Sequence, residues 1–334
     1  MQLKKMIVPM LAVVALTGAG ANAAAATKAK DPNAAVVQQS TQDAKDVQAY
    51  WTPERMRSAV PMPVPAASAS ALSSVPAQTH KLPAMSAPGF GKAATSGFGA
   101  DSVQDVTQSG VWTAHGQMPA STVGKLYFTT PKGNSECTAS VIASNNHSMI
   151  WTAGHCASDG AGHWYTNFQF VPDYHDGVWP YGSWVWKSAS TPTAYLNGRN
   201  FDYDVAAITL WPSNGRKVAD VVGWQGYKFN WGYNWFAYEF GYPYDTHPAR
   251  AGINGQQLRY CAAGTWQAGG QQAIHCDQGH GASGGPWLDD LQFARGWGYL
   301  VGNVSYHPYE WSDEERSPHF GDAAVNVYNA QTNV

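Results

Sequence analysis

Short hydrophobic runs alternate with turn-forming residues over the last two-thirds of the chain. Runs of this length, bounded by Gly, Pro and Asn, are typical of β-strands joined by tight turns. No long segment has the 3.6-residue period of an amphipathic helix, although residues 323–331 predict a short terminal one. The pattern therefore predicts an all-β barrel or sandwich. The runs that carry this prediction are residues 125–130, 140–142, 148–152 and 204–210.

The first 23 residues have the pattern of a secretory signal peptide. Two lysines precede an apolar run of 11 residues, 6–16, and small residues follow up to the Ala-Asn-Ala site at 21–23. A membrane anchor is the alternative, but a bilayer span needs about 20 apolar residues. We expect secretion to the extracellular space or the periplasm, and no membrane association once the signal is removed.

Residues 24–105 differ from the rest in composition. Residues 24–57 are polar and contain the helix-start motif Thr52-Pro53-Glu54, whereas residues 58–100 are mostly Ala, Ser, Pro and Gly without Asp or Glu. The second composition buries little apolar surface and is typical of a flexible linker. We interpret 24–105 as a largely unstructured pro-segment that is removed, with a retained disordered extension as the alternative. Residues 106–334 remain as the main domain.

Charge excludes some classes of partner. Charged residues make up 13% of the chain, and the net charge is −3. A phosphate-tracking surface needs a basic block, and none occurs, so we expect no nucleic-acid partner.

The chain has four cysteines, which suit disulfides in an exported protein. Three pairings are possible, and we favour the two pairs of sequence neighbours. A zinc site is the competing interpretation, but no C-x-x-C or H-E-x-x-H motif occurs. We expect neither a metal nor a cofactor. The cysteines are Cys137, Cys156, Cys261 and Cys276.

The first motif with candidate chemistry surrounds His155. This histidine follows a glycine at the end of an apolar strand, so the chain presents it at a turn. Cys156 can staple that turn to an upstream strand through Cys137, which contributes about 3 kcal/mol in the chain-entropy model. Taken alone, a histidine in this setting is more often structural than catalytic.

The second motif is an acid at the start of a buried β run. Asp204 precedes Val-Ala-Ala-Ile-Thr-Leu, and a buried acid is costly unless another group pairs with it. A histidine would serve as that partner. Asp202, two residues earlier, would point to the same face and is an alternative.

The third motif is Gly-Ala-Ser-Gly-Gly at 281–285. Its glycines allow a tight bend and close approach of a substrate. The Ser283 hydroxyl becomes a nucleophile when a base takes its proton. The backbone N–H groups of Gly281 and Ser283 would then stabilise the negative oxygen of an acyl-transfer transition state. A plain glycine-rich loop is the alternative.

Together, the blocks at 152–156, 204–206 and 281–286 resemble the three signature blocks of the chymotrypsin-like (trypsin-like) serine peptidases, in that family's order. The resemblance covers roughly residues 111–334 and is greatest for the secreted bacterial branch of glutamyl endopeptidases and actinomycete proteases. It implies two packed antiparallel β-barrels, the first over about 111–215 and the second over about 216–334. We expect a monomer that acts on protein or peptide substrates, with its own pro-segment as inhibitor or folding aid.

The resemblance also implies a role for each site residue. Ser283 would attack the scissile carbonyl, His155 would move the proton, and Asp204 would orient and stabilise the imidazole. Gly281 and Ser283 would supply the oxyanion hole. The Ser305 hydroxyl resembles the one that supports the catalytic acid in this family.

The bridge of Cys137 with Cys156 matches the one that flanks the histidine in this family. Ala282 is a departure, because many members have an aspartate there that receives a new amino terminus after zymogen cleavage. A methyl group cannot form that ion pair. The resemblance therefore implies that the pro-segment acts by another route, by covering the cleft or by guiding folding.

Substrate selection has several candidate residues. Asp277 lies six residues before Ser283, where trypsin has its pocket acid, and would favour Lys or Arg; a solvated loop acid is the alternative. His280 and His307 flank the cleft by sequence, and either could receive an acidic side chain. Tyr306 belongs to the stretch at 302–306, which sits where family members pair with the substrate backbone.

Two other functions compete with a secreted serine endopeptidase. Residues 281–285 also satisfy the G-x-S-x-G motif of α/β-hydrolase esterases, but that fold needs an acid and a histidine after the serine, and only 51 residues follow Ser283. The second alternative is an inactive peptidase-fold binding protein. All three triad residues are present, so the sequence offers no cause for lost activity.

Overall fold

A computed structural model describes residues 31–65, 80–91, 105–309 and 312–334. The predicted signal peptide, residues 1–23, lies outside the described residues, as do residues 66–79 and 92–104 of the predicted linker. Among the described residues, no helix is both long enough and apolar enough to cross a bilayer.

The described part of the chain before the barrels forms short elements. The predicted helix start is confirmed, because the Thr52 side chain accepts a hydrogen bond from the Arg55 N–H at 3.3 Å and Pro53 opens the helix. The elements are β1 (Ala35–Gln39), α1 (Ala44–Tyr50), α2 (Pro53–Arg57), β2 (Val60–Pro61), β3 (Met85–Ala87) and β4 (Val106–Val111).

The next six strands close into the first barrel, because β9 pairs antiparallel with both β8 and β10. Alternating side chains such as Leu126, Phe128 and Ile150 are fully buried in its interior. The strands are β5 (Val123–Thr130), β6 (Gly133–Val141), β7 (Met149–Thr152), β8 (Thr166–Pro172), β9 (Trp184–Pro192) and β10 (Ala206–Leu210), and helix α3 (Thr193–Gly198) follows β9.

The second barrel combines two sheets. The elements that follow β10 in the chain are α4 (Val218–Val222), β11 (Gly226–Phe229), β12 (Phe236–Gly241), β13 (Arg259–Gly264), β14 (Trp266–Ala268), β15 (Gln271–His275), β16 (Pro286–Gln292), β17 (Trp297–Asn303), β18 (Glu314–Pro318) and α5 (Asp322–Gln331). Seven strands follow the order β3-β11-β17-β16-β12-β13-β4, and β14, β15 and β18 form the other sheet. The predicted all-β pair of antiparallel barrels is confirmed, with one parallel strand pair, β11 with β17, and the terminal helix is confirmed too.

The first strand of the predicted main domain packs on the second barrel, and its last helix packs on the first barrel. Strand β4, which opens that domain, pairs with β13 of the second barrel. Helix α5 instead packs on the first barrel, where Ser188 and Thr209 each donate a hydrogen bond to the Gln331 side chain at 2.7 Å. The two crossings tie the barrels together at their ends.

Both disulfides join sequence neighbours, as predicted. Cys137 is bonded to Cys156 with a Cα–Cα distance of 6.2 Å, and Cys261 to Cys276 with 5.7 Å. The first bridge ties β6 to the turn after β7, and the second ties β13 to the end of β15.

The predicted pro-segment, 24–105, is more ordered over its described residues than its composition indicates. Strand β1 pairs with β9, β2 with β6, and β3 with β11. Single apolar side chains anchor the segment: Val47, Trp51 and Met56 are buried, and the Trp51 indole donates to the Asn167 carbonyl at 2.6 Å. Composition misses such anchors because they are isolated among polar and small residues.

Candidate active site

Strands β7 and β10 place a histidine beside an aspartate. The two strands pair with Ala206 opposite Thr152, so the turn after β7 meets the turn before β10. His155 lies in a short 3₁₀ turn, Gly154–Cys156. Its Nδ1 lies 2.7 Å from Asp204 Oδ2, and its backbone N–H donates to Asp204 Oδ1 at 2.7 Å.

The Asp204 carboxylate is fully buried and well supplied with donors. Besides the two contacts with His155, the Ser305 hydroxyl donates to Oδ2 at 2.6 Å. These hydrogen bonds compensate the hydration that the carboxylate loses on burial. Gly154 keeps the space open, because a Cβ there would lie 2.7 Å from the Tyr195 ring and 3.0 Å from Asp204 Oδ1.

The alternative acid, Asp202, makes different contacts. Its carboxylate accepts a hydrogen bond from the Gln271 amide, and burial raises its pKa. Of the two candidate acids, the structure brings Asp204 to the His155 imidazole.

The glycine-rich loop holds Ser283 against the histidine turn. The backbone N–H of Thr138 in β6 donates to the Ser283 carbonyl at 2.8 Å, and the Cys156 sulfur lies 3.6 Å from the same oxygen. Gly284 has a φ of +80°, and a Cβ there would lie 2.0 Å from Thr152 Oγ1. Glycine is therefore required for so close an approach between the loop and β7.

Two atoms of this cluster, Ser283 Oγ and His155 Nε2, are buried and have no hydrogen-bond partner among the described residues. Because His155 Nδ1 faces a carboxylate, that nitrogen carries the proton in the neutral ring, and Nε2 has a free lone pair. An imidazole in this state can take a proton from a hydroxyl and return it to a leaving group.

Two solved structures resemble this chain in both sequence and fold. Protease Anisep from Arthrobacter nicotinovorans is 32% identical with a TM-score of 0.60, and the match covers 66% of this chain and 99% of that one. The thermostable serine protease AL20 from an extremophilic microorganism is 30% identical with a TM-score of 0.59, over 64% of this chain and 98% of that one. The chain belongs to the chymotrypsin-like serine peptidases.

A more distant structure shares the fold of this serine peptidase. A Glu endopeptidase is 20% identical with a TM-score of 0.53, and the match covers 68% of this chain and 96% of that one. No protein-family model matches the chain. No curated protein matches it either.

The predicted pocket acid of the peptidase, Asp277, is buried and already paired. Its carboxylate lies 2.6 Å from the Arg250 guanidinium and accepts the Ser109 backbone N–H at 2.8 Å. The guanidinium thus offsets the negative charge that was expected to select Lys or Arg.

The other predicted substrate-binding residues also have partners. His280 Nδ1 lies 2.7 Å from Asp245 Oδ2, and that hydrogen bond raises the pKa of the imidazole. His307 is buried with Nδ1 3.1 Å from the Glu314 carbonyl, and burial lowers its pKa to about 4. The Tyr306 hydroxyl bonds to the Gln271 side chain, and burial raises its pKa to about 12.

Two acids in the second barrel of the peptidase were not among the predicted site residues. Glu239 and Glu315 are fully buried, and burial raises the pKa of both carboxyls well above the usual value, with Asp277 adding to the shift at Glu239. Both Glu239 oxygens lack a hydrogen-bond partner among the described residues, and Glu315 Oε2 lies 3.3 Å from His307 Nε2 without hydrogen-bond geometry. Glu239 had a detectable signal, since it occupies an inward position between Ala237 and Gly241 in an aromatic run.

The peptidase cleft also holds a stretch of the predicted pro-segment. The Gly281 N–H, the predicted oxyanion donor, donates to the Met62 carbonyl at 3.0 Å. Ser283 is 0% exposed and His155 is 4% exposed. The proposed catalytic atoms are thus covered in the full chain.

Proposed function

We propose that the protein is a secreted serine endopeptidase that forms an acyl-enzyme on Ser283. The contact of His155 Nδ1 with Asp204 Oδ2 at 2.7 Å is the observation that carries this proposal. It fixes the tautomer in which Nε2 is the base, and it prepares a negative charge next to the imidazolium that forms during reaction.

In the first half-reaction, Ser283 Oγ attacks the scissile carbonyl carbon while His155 Nε2 accepts the hydroxyl proton. The carbonyl electron pair moves to oxygen, where the N–H groups of Gly281 and Ser283 stabilise it. The electron pair then returns, the C–N bond breaks, and His155 gives its proton to the leaving amine. Water repeats the sequence on the ester and regenerates Ser283.

We assign substrate backbone pairing to Ser305, Tyr306 and His307. These residues follow β17, and the adjacent Val304 carbonyl accepts the Gly284 N–H at 2.8 Å, which places this stretch beside the nucleophile loop. His280 and Asp277, on the loop before Ser283, are our candidates for selection of the substrate side chain, Asp277 through its ion pair with Arg250 and not as a free negative charge.

We further propose that residues 1–23 direct export and that 24–105 act as a pro-segment on a monomeric enzyme. The two disulfides favour an oxidising compartment outside the cytoplasm. The contact of Met62 with Gly281 supports an inhibitory role for the segment, because it uses a donor that the transition state needs.

A fluorophosphonate probe tests the proposal. Secreted material whose new amino terminus has been sequenced should be labelled, and the Ser283→Ala protein should not. Cleavage of a mixed peptide library should depend on the same hydroxyl. A processed protein that is folded but neither labelled nor hydrolytic would instead be a binding protein on the peptidase fold.

A further inference from the structure

Residues 60–65 make continuous backbone contacts along the cleft. Val60 and Pro61 pair parallel with Ser135 and Glu136 of β6, and the Met62 N–H donates to the Glu136 carbonyl at 2.8 Å. The Ser135 hydroxyl donates to the Val60 carbonyl at 2.7 Å.

The contacts continue on the far side of the nucleophile loop. The Met62 carbonyl accepts the Gly281 N–H at 3.0 Å, and the Pro65 carbonyl accepts the His307 N–H at 3.0 Å. The segment therefore runs from β6, past Gly281, to the residues that follow β17.

Two side chains anchor the segment on different barrels. Met62 packs against the hydrophobic cluster of the first barrel. Val64 is only 7% exposed and joins the cluster of the second barrel that contains Ala282 and Val304. The segment therefore bridges the two barrels across the nucleophile loop.

The sequence of the segment, Val-Pro-Met-Pro-Val-Pro, prepares it for this extended path. Each proline fixes its own φ and disfavours helical backbone at the residue before it. The alternating prolines also remove every second N–H donor. A chain that is extended before it binds loses less conformational entropy on binding.

The direction of the segment differs from that expected of a substrate. The leaving amine must reach the His155 imidazole, whose neighbour Cys156 is bonded to Cys137 in β6. We therefore place substrate residues after the scissile bond along β6, and those before it along 305–307. The segment does the opposite, because Val60 lies on β6 and Pro65 lies on His307.

We infer that the cleft binds an extended, proline-alternating peptide in the direction opposite to a substrate, and that residues 60–65 are its resident ligand. The inference rests on the proposed peptidase function. In this direction the Met62 carbonyl accepts the hydrogen bond of the Gly281 N–H, the proposed oxyanion donor. Cleavage after Met62 would release the Pro63 nitrogen, and that nitrogen lies on the side of residues 305–307. His155 cannot deliver its proton there, so the segment blocks the enzyme without being cut.

The first experiment measures access to Ser283 in the full-length chain. Val64→Asp removes the buried anchor and should increase the rate of fluorophosphonate labelling roughly 10- to 100-fold, the range set by the burial energy of one valine. Val37→Asp is the matched control, because Val37 lies in β1, outside residues 60–65, and is 42% exposed, and its labelling rate should equal that of the wild type. Val64→Ala, a milder change, should give a smaller increase if Val64→Asp fails to fold.

The outcomes separate the two proposals. Equal labelling rates in the wild-type, Val37→Asp, Val64→Ala and folded Val64→Asp chains would overturn the segment as cleft ligand while leaving the peptidase intact. No labelling in any chain, processed material included, would overturn the peptidase itself.

The second experiment tests direction. Pro63→Ala in the full-length chain replaces the resistant imide after Met62 with an ordinary peptide bond. The chain is incubated at two concentrations, and new termini are identified by mass spectrometry. Reversed binding predicts that the bond between residues 62 and 63 stays intact in the Pro63→Ala chain, as in the wild type. Concentration-independent cleavage after Met62 would show substrate-like binding and overturn the inference.

Discussion

Two buried carboxyl groups of the first barrel, Glu136 and Asp204, have hydrogen-bond donors that Glu239 of the second barrel lacks among the described residues. In the first barrel, both Glu136 oxygens accept hydrogen bonds from Lys125 Nζ at 2.8 Å, and Asp204 is held by His155 and Ser305. In the second barrel, both oxygens of Glu239 lack a hydrogen-bond partner among the described residues.

The difference decides the protonation of a buried carboxyl group. The group either carries a negative charge at a fixed position, which we call a fixed charge, or keeps its proton, which we call a stored proton. A carboxylate surrounded by donors keeps its charge and orientation, which a histidine base requires. A buried carboxyl that lacks such donors keeps its proton instead, and burial accordingly raises the pKa of Glu239. The first barrel therefore supplies the charge that the proposed chemistry needs.

Replacing Asp204 by Asn tests the fixed charge and has the largest expected effect. The amide can hold the imidazole in the wrong tautomer and cannot stabilise its charged form. We expect kcat of the processed enzyme to fall about ten-thousand-fold, with a much smaller change in KM.

Asp202→Asn is the matched control, since it lies two residues away and bonds to Gln271 rather than to His155. Its steady-state kinetics should be close to those of the wild type. A large loss in Asp202→Asn together with a small one in Asp204→Asn would reverse the assignment of the acid.

The catalytic corner could be predicted from sequence because its determinants are local. Gly154 precedes His155, Asp204 precedes a buried run, and glycines surround Ser283. Each block therefore predicts a turn that presents a reactive group. The pairing of β7 with β10 then brings the first two together. The choice between Asp202 and Asp204 required the structure, because the chain forms a 3₁₀ turn, Phe201–Tyr203, before β10, and the sequence pattern of a continuous strand does not show which acid that turn brings to His155.

The cleft segment and the buried acids could not be predicted in the same way. Val-Pro-Met-Pro-Val-Pro has the composition of a linker. Its structural role depends on hydrogen bonds to residues that are distant in sequence: Glu136, Gly281 and His307. Glu239 is one acid in a strand, and its inward position in the sequence pattern does not show which groups surround it after folding. Such features depend on which surfaces meet after folding.

Lys125→Met tests whether the ion pair in the first barrel is what makes its buried acid tolerable. Burial lowers the pKa of Lys125 and raises that of Glu136, and each partner opposes the shift in the other. Removing the ammonium leaves a carboxyl without its cation, so we expect a loss of about 3–5 kcal/mol in the free energy of unfolding, measured with urea at pH 7.

The double variant Lys125→Met with Glu136→Gln is the control for that loss. It removes both charges and should recover most of the stability, since the penalty comes from one unpaired group. Equal destabilisation in the single and double variants would show that packing, and not charge, decides the stability at this site.

Glu239→Gln tests the stored proton in the second barrel, and at pH 5 it has the smallest expected effect. Because the folded-state pKa of Glu239 is raised, the folded chain keeps its proton above pH 4.5, the ordinary glutamate value, while the unfolded chain loses it. The unfolded state then binds fewer protons, so the free energy of unfolding falls as pH rises, by about 1.4 kcal/mol for each pH unit up to the folded-state value. Glutamine has no proton to lose, so the part of the decline that Glu239 contributes should disappear from the variant, while Glu315, whose pKa burial also raises, still contributes its own.

The free energies of unfolding of the wild type and of Glu239→Gln are measured with urea between pH 4 and pH 8, and the difference between them is plotted against pH as a difference curve. Subtraction removes the contribution of His307, whose lowered pKa of about 4 affects stability in the same pH range with the opposite sign. Glu54→Gln is the matched surface control: a hydrogen bond from its own backbone N–H and one from the Thr52 side chain lower the Glu54 pKa, so any effect should appear only as pH falls. A flat difference curve for Glu239→Gln above pH 4.5 would mean that Glu239 is ionised in the folded protein, and that the second barrel compensates its charge as the first barrel does.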